Sequence, residues 1–219
     1  MAGSTNTDKA ATNNLKGLEF YRQWKLDEAV EAFKDAAALD ANNPEYHLNL
    51  ARAYARSGKY HEAIKALGEY IHAETDEKLA SRYERLFSTA LDEVEENTIA
   101  GMQRLDLSLP LVGKAIQMWL EYRIAIGRQQ LRIPKPEIWA AALTYAVCKV
   151  NLLELTREQV VAAFDVKDRS LKEKYDDLVE TLDLLPGDYR YFTGEENPLD
   201  ELVEAAEQLN KIYQDFREG

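Results

Sequence analysis

Apolar residues recur along this chain at three- and four-residue intervals, with polar residues filling the intervening faces, which is the period of amphipathic helices. Leu15, Leu18, Phe20 and Tyr21 mark a first helix that ends near Trp24. Ala29, Phe33 and Ala36 mark a second from Leu26 to Leu39, and small residues there let antiparallel helices approach closely. Pro44 opens a third, whose buried stripe is Tyr46, Leu50, Ala53 and Tyr54. Gly58 permits the turn into a fourth, His61 to Ile71. Lys78 to Glu96 carries Leu79, Tyr83, Leu86, Phe87, Ala90, Leu91 and Val94 on one side of a fifth.

Past residues 98–108, where Gly101 interrupts the period and a linker is expected, the helical pattern resumes. It predicts helices over Pro110 to Arg128, Pro136 to Leu153, Thr156 to Phe164, Asp168 to Leu182 and Asn197 to Arg217. Thr156 with Gln159 three residues on reads as a capping box. Leu185 to Glu196 is a loop rich in aromatics, either an exposed recognition loop or a plug over an apolar end. Residues 1–12 are small and polar, so a disordered tail is expected there. No strand pair stands out, and the fold class is all-α.

The first four helices repeat. With Ala29 placed over Ala63, an offset of 34 residues, Leu26–Phe33 lies over Tyr60–Leu67, Phe20 over Tyr54, and Gly17 over Ala51. That period is one helix-turn-helix unit of a tetratricopeptide array. Asn14 to Glu77 thus resembles two tetratricopeptide repeats, and 13–97 would be two helix pairs with a capping helix. A third repeat fails, because Asn97 stands where the pattern asks for Ala.

The resemblance implies an interaction protein that holds a partner peptide or helix in the groove formed by the first helix of each pair. Groove candidates are Asn14, Tyr21, Asn49, Arg52 and Arg56; Arg52 and Arg56, four residues apart, could equally be an ordinary solvated face. Some members of the family clamp a peptide's terminal carboxylate, and the corresponding positions here are Asn14, Leu18, Asn49, Leu79 and Tyr83. The basic members of that clamp are missing and only Asn49 matches, which argues against capture of chaperone tails. Trp24 stands where such repeats usually have Gly, either as a partner anchor or as packing between helices. Trp119 and Trp139 lie on apolar faces and are expected in the core.

In the second half, 109–219, Leu155 to Leu178 has the spacing of a helix-turn-helix unit. Val160, Val161, Val166, Ser170 and Tyr175 fall on motif positions of the last helices of a transcription factor IIB or cyclin-type repeat, which this region resembles. Ala140 to Asn151 would be that fold's central buried helix. Asp165 replaces the usual turn Gly, and Asp168 is left to cap in place of a Ser that is here Lys167. The last helix of the unit carries Glu173, Asp176, Asp177 and Glu180 among its Lys residues, where a DNA reader needs a cationic face, so the region reads as a cyclin-like helical bundle used as scaffold or docking surface. A second reading is a transcription-related regulator whose C-terminal unit touches DNA or polymerase, through Arg123, Arg128, Lys172 and Lys174.

Charge weighs against that second reading. The chain carries a formal charge of −12, whereas phosphate contacts need Lys and Arg. A basic stretch from Arg104 to Lys135 adjoins a strongly acidic one from Asp176 onward, the pattern of an internally paired surface. His47, His61, His72 and the single Cys148 have no metal-ligand spacing, and no phosphate loop or nucleophile motif is present. No metal, cofactor or enzymatic chemistry is therefore expected. One cysteine in an apolar run suggests a reducing compartment; the first residues lack a leader's apolar core, and no stretch is long and apolar enough to span a membrane. The expected setting is cytoplasmic, the expected partner a protein or peptide, with self-association as a third possibility.

Overall fold

The computed structural model describes residues 5–84, 92–129, 131–195 and 200. Among them the chain is entirely helical: α1 (Asn6–Arg22), α2 (Leu26–Leu39), α3 (Pro44–Arg56), α4 (Tyr60–Ala73), α5 (Glu77–Glu84), α6 (Glu93–Arg104), α7 (Leu109–Ala125), α8 (Pro136–Val150), α9 (Arg157–Phe164) and α10 (Asp168–Leu182). It divides into two compact units, Met1–Asp92 with Trp119–Ile133, and Glu93–Met118 with Pro134–Gly219. The boundary runs through α7, whose last turns from Trp119 belong with the repeats.

In the first unit α1 pairs with α2, and α3 with α4. The pairs are tight because small residues meet large ones: a Cβ at Gly17 would lie 2.5 Å from Phe33 Cε1, so no other residue fits between α1 and α2 without displacing that ring. Trp24 and Gly58, one repeat period apart, both take the left-handed conformation that turns the chain into the second helix of each pair, with φ of 59° and 72°. Gly adopts it without strain; Trp24 does so at a steric cost. Asn43 caps α3 by accepting from Glu45 N at 3.1 Å.

Three expectations are corrected here. Of the tail expected over 1–12, residues 1–4 lie outside the described residues and 6–12 are helical rather than disordered: Thr5 and Asp8 form a capping box, and Ala10 is fully buried against Ala36, Ala37 and Tyr46. The fifth helix, expected to run unbroken from Lys78 to Glu96, is described over Glu77–Glu84, and Asp92 is not helical; Leu86, Phe87, Ala90 and Leu91 lie outside the described residues. The span 98–108, expected as a linker, is helical as far as Arg104. Gly101 interrupts the period for a packing reason, since a Cβ there would lie 2.0 Å from Phe164 Cζ.

In the second unit α8 is buried all around, with Trp139, Ala140, Leu143, Val147 and Cys148 inside. It packs against α6, α9 and α10. Thr156 and Gln159 form the expected capping box. Asp165 takes the left-handed turn position at φ 52°. Lys167, not Asp168, is the residue before α10, and it makes no side-chain cap; Asp168 instead pairs with Arg157 at 3.1 Å. Of the aromatic loop, Tyr191 is fully buried and Tyr189 is exposed. The Arg190 carbonyl accepts from Lys114 Nζ at 2.7 Å and Gln117 Nε2 at 2.9 Å, which pins the loop to α7. The helix expected over Asn197 to Arg217 lies outside the described residues.

Candidate functional site

The five groove candidates come together on one side of α1 and α3. Asn14 and Asn49 are both buried, and Asn49 Nδ2 donates to Asn14 Oδ1 at 3.0 Å. These two amides tie the pairs together. Arg52 Nη1 donates back to Asn49 Oδ1 at 3.4 Å, near the long limit for a hydrogen bond. Arg52 Nε is buried with no hydrogen-bond partner among the described residues.

Tyr21 is the hub of the remaining contacts. Its ring centroid lies 5.8 Å from the guanidinium carbon of Arg52 and 4.6 Å from that of Arg56. Arg56 also lies 3.9 Å from the Trp24 ring, and is only 8% exposed. Its charge is thus held between two aromatic rings, so Arg56 is not part of a solvated face. Trp24 itself remains 46% exposed.

Beside this cluster opens a cavity of about 280 Å³, lined by Leu18, Tyr21, Arg22, Phe33, Asn49 and Arg52. Its lining combines apolar Leu18 and Phe33 with Tyr21, the buried amide of Asn49 and the cations Arg22 and Arg52. That composition suits a short segment presenting one apolar side chain and a carbonyl or carboxylate, since Arg52 would gain a charge-assisted partner that no described residue supplies. Arg22 and Phe33 were not singled out by sequence reasoning; Phe33 reads as core from its spacing, and it serves as core and cavity wall at once.

Of the other clamp positions, Tyr83 is buried and donates its hydroxyl to Gly127 O at 2.7 Å. Arg82 Nη2 donates to the same oxygen at 2.6 Å and Nη1 donates to Gln129 O. Glu74 accepts from Tyr70 OH at 2.7 Å and pairs with Arg128 at 3.3 Å. Burial works to raise Glu74's pKa, but the backbone N–H of Asp76, the Tyr70 hydroxyl, Arg128 and the N–H of Thr75 outweigh it and hold the carboxyl below the ordinary range.

The four cations proposed as nucleic-acid contacts are all engaged with carboxylates. Arg123 pairs with Asp92 at 2.7 Å and Arg128 with Glu74; Lys172 pairs with Asp176, and Lys174 with Asp177 at 3.3 Å. Lys174 also sits 4.7 Å from the Trp139 ring. Arg123 and Arg128 belong to the first unit, Lys172 and Lys174 to the second. Among the described residues no three His, Cys, Asp or Glu side chains gather as metal ligands would, and no helix is long and apolar enough to cross a membrane.

Antiparallel helix pairs at a 34-residue period, with aromatic and Arg side chains on the first helix of each, define a helical-repeat interaction module. In agreement, residues 21–97 match the tetratricopeptide repeat family model. The Hsp70-Hsp90 organising protein of Plasmodium falciparum (isolate 3D7) is 36% identical over 53 residues, which is 24% of this chain and 9% of that protein. The chain thus matches only a small part of that relative's length. No solved structure matches the chain.

Proposed function

We propose that this protein is a non-enzymatic adaptor that holds a short segment of a partner protein at the cavity between α1, α2 and α3. The carrying observation is that Tyr21, Asn49 and Arg52 converge with Leu18, Arg22 and Phe33 on one cavity of side-chain size. An apolar side chain of the partner enters against Leu18 and Phe33, and a neighbouring carbonyl or carboxylate reaches Arg52. Tyr21 holds Arg52 in place, which lowers the entropy lost on binding. Asn14, through Asn49, and Arg56, through Tyr21, position this site from behind. The family match over residues 21–97 supports an interaction role, and so does the likeness to a protein named for organising two chaperones. Its partners are not carried over, because the clamp pattern for chaperone tails is absent here. The second unit, with its helix-turn-helix spacing, is proposed as a cyclin-like docking scaffold.

Peptide display on the immobilised chain tests the proposal. Selection should enrich a motif with one apolar residue next to an acidic residue or free carboxylate, and Arg52→Ala should abolish the enrichment. Equal enrichment on the unaltered chain and on Arg52→Ala would remove the cavity from the function.

A further inference from the structure

We infer that the chain supplies its own ligand for the second half of the groove-forming face, so that the segment Trp119–Gln129 is an autoinhibitory occupant. This rests on the reading of the repeats as an interaction surface. Leu48, Arg52 and Tyr83 lie on α3 and α5, the first helices of the second repeat and of the incomplete third. In a peptide-binding array these side chains would face the guest. Here they face residues of the same chain.

Ile124 is fully buried in one apolar cluster with Leu48, Ala55 and Tyr83, and Leu120 packs against it. The turn that follows places Gly127 in the left-handed conformation, φ 58°, where a side chain would meet Leu48 Cδ2 at 3.7 Å and Arg52 Nη1 at 4.0 Å. Glu121, buried, accepts from Tyr60 OH at 3.2 Å. Asp92 receives Trp119 Nε1 at 2.9 Å and pairs with Arg123, which tethers the start of the segment.

The chemistry of the turn's anchoring makes it exchangeable. Toward the turn, Arg82 and Tyr83 donate to backbone carbonyls, those of Gly127 and Gln129, and Arg82 Nη2 also donates to the Tyr83 hydroxyl at 3.3 Å. Any chain that brings an apolar anchor and two exposed carbonyls to this face satisfies the same donors. The side-chain-specific hold on the turn is the Arg128–Glu74 ion pair, and Glu74 has a side chain only 1% exposed whereas Arg128 is half exposed. The occupant therefore determines how much of the face is open: partner capture is confined to the α1–α3 cavity while the turn is seated, and extends along α3 to α5 when it leaves.

The test uses the full chain and a fluorescein-labelled peptide of residues 119–129, followed by anisotropy. Two variants unseat the turn from the segment side and leave α3 and α5 unaltered. Gly127→Val forbids the left-handed turn, and Arg128→Glu sets a second carboxylate against Glu74 without touching the core. Both should bind the peptide at least about tenfold more tightly than the unaltered chain, and adding Arg82→Ala should abolish that binding. Should Gly127→Val not fold, Arg128→Glu alone decides. Peptide binding no tighter than to the unaltered chain, or unaffected by Arg82→Ala, overturns the proposal. Because the probe is the chain's own sequence, the outcome does not depend on whether the α1–α3 cavity captures a partner.

Discussion

The guanidinium of Arg56 lies 3.9 Å from the centroid of the Trp24 ring, enclosed between that ring and Tyr21. Trp24, one repeat period before Gly58, is thus the lid over a buried cation. Its backbone stays at φ 59°, a conformation that costs a non-glycine residue on the order of 1 kcal/mol. Trp24→Ala loses the ring and keeps the strain, so it should lower stability by about 1–3 kcal/mol. Trp24→Gly loses the ring and relieves the strain, and should be the more stable of the two by about 1 kcal/mol. Urea denaturation of the two variants checks the order.

The Asn14–Asn49 amide pair joins α1 to α3 in a buried setting. Asn14→Ala or Asn49→Ala leaves one amide unsatisfied and should destabilise by about 1–3 kcal/mol. The double substitution removes both needs together, so its effect should fall short of the sum. A double-mutant cycle in urea measures the shortfall; strict additivity would mean the pair is not coupled.

Glu74 titrates below its ordinary value in the folded chain, so the folded state releases that proton more readily than the unfolded state. Its contribution to stability is therefore complete above about pH 4.5 and is lost as pH falls from there through the depressed folded value. Urea midpoints between neutral pH and pH 3 should show a steeper acid loss for the unaltered chain than for Glu74→Gln. Parallel profiles would contradict the assignment.

Cys148 sits inside α8 with its thiol pushed up to about 12 by burial. The thiolate is the reactive form, so a disulfide-exchange reagent at neutral pH should leave the native protein unmodified and label it rapidly in denaturant. Fast labelling of the native chain would mean that α8 opens locally.

The helical class and the repeat were legible because they rest on local spacing. Gly17 over Ala51 and Ala29 over Ala63 are the positions where helices touch, and the touching demands small residues. The cavity was legible in part, since Tyr21, Asn49 and Arg52 lie on the face that the repeat register assigns to a guest. Burial of Arg56 was not, because i and i+4 spacing says nothing of an aromatic lid in the preceding turn. The seat of Trp119–Gln129 was hidden for another reason. Its contacts reach far along the chain, 27 residues from Asp92 to Trp119 and 44 from Tyr83 to Gly127, and lie outside any repeat period. The anchors are also backbone carbonyls, which leave no side-chain signature. Gly127 before Arg128 was the one trace, a glycine in a turn needing positive φ. The α1 terminus was missed because Thr5 and Asp8 look like a polar tail until the capping box is closed.

The most direct measurement places a photo-crosslinking amino acid, p-benzoylphenylalanine, at Arg22 on the cavity rim and, separately, at the exposed Tyr189 of the second unit, in cells expressing the chain. The expected result is a discrete protein adduct from the Arg22 position that disappears when Arg52→Ala is added. Adducts from Tyr189 alone, or an Arg22 adduct indifferent to Arg52, would contradict partner binding at the α1–α3 cavity.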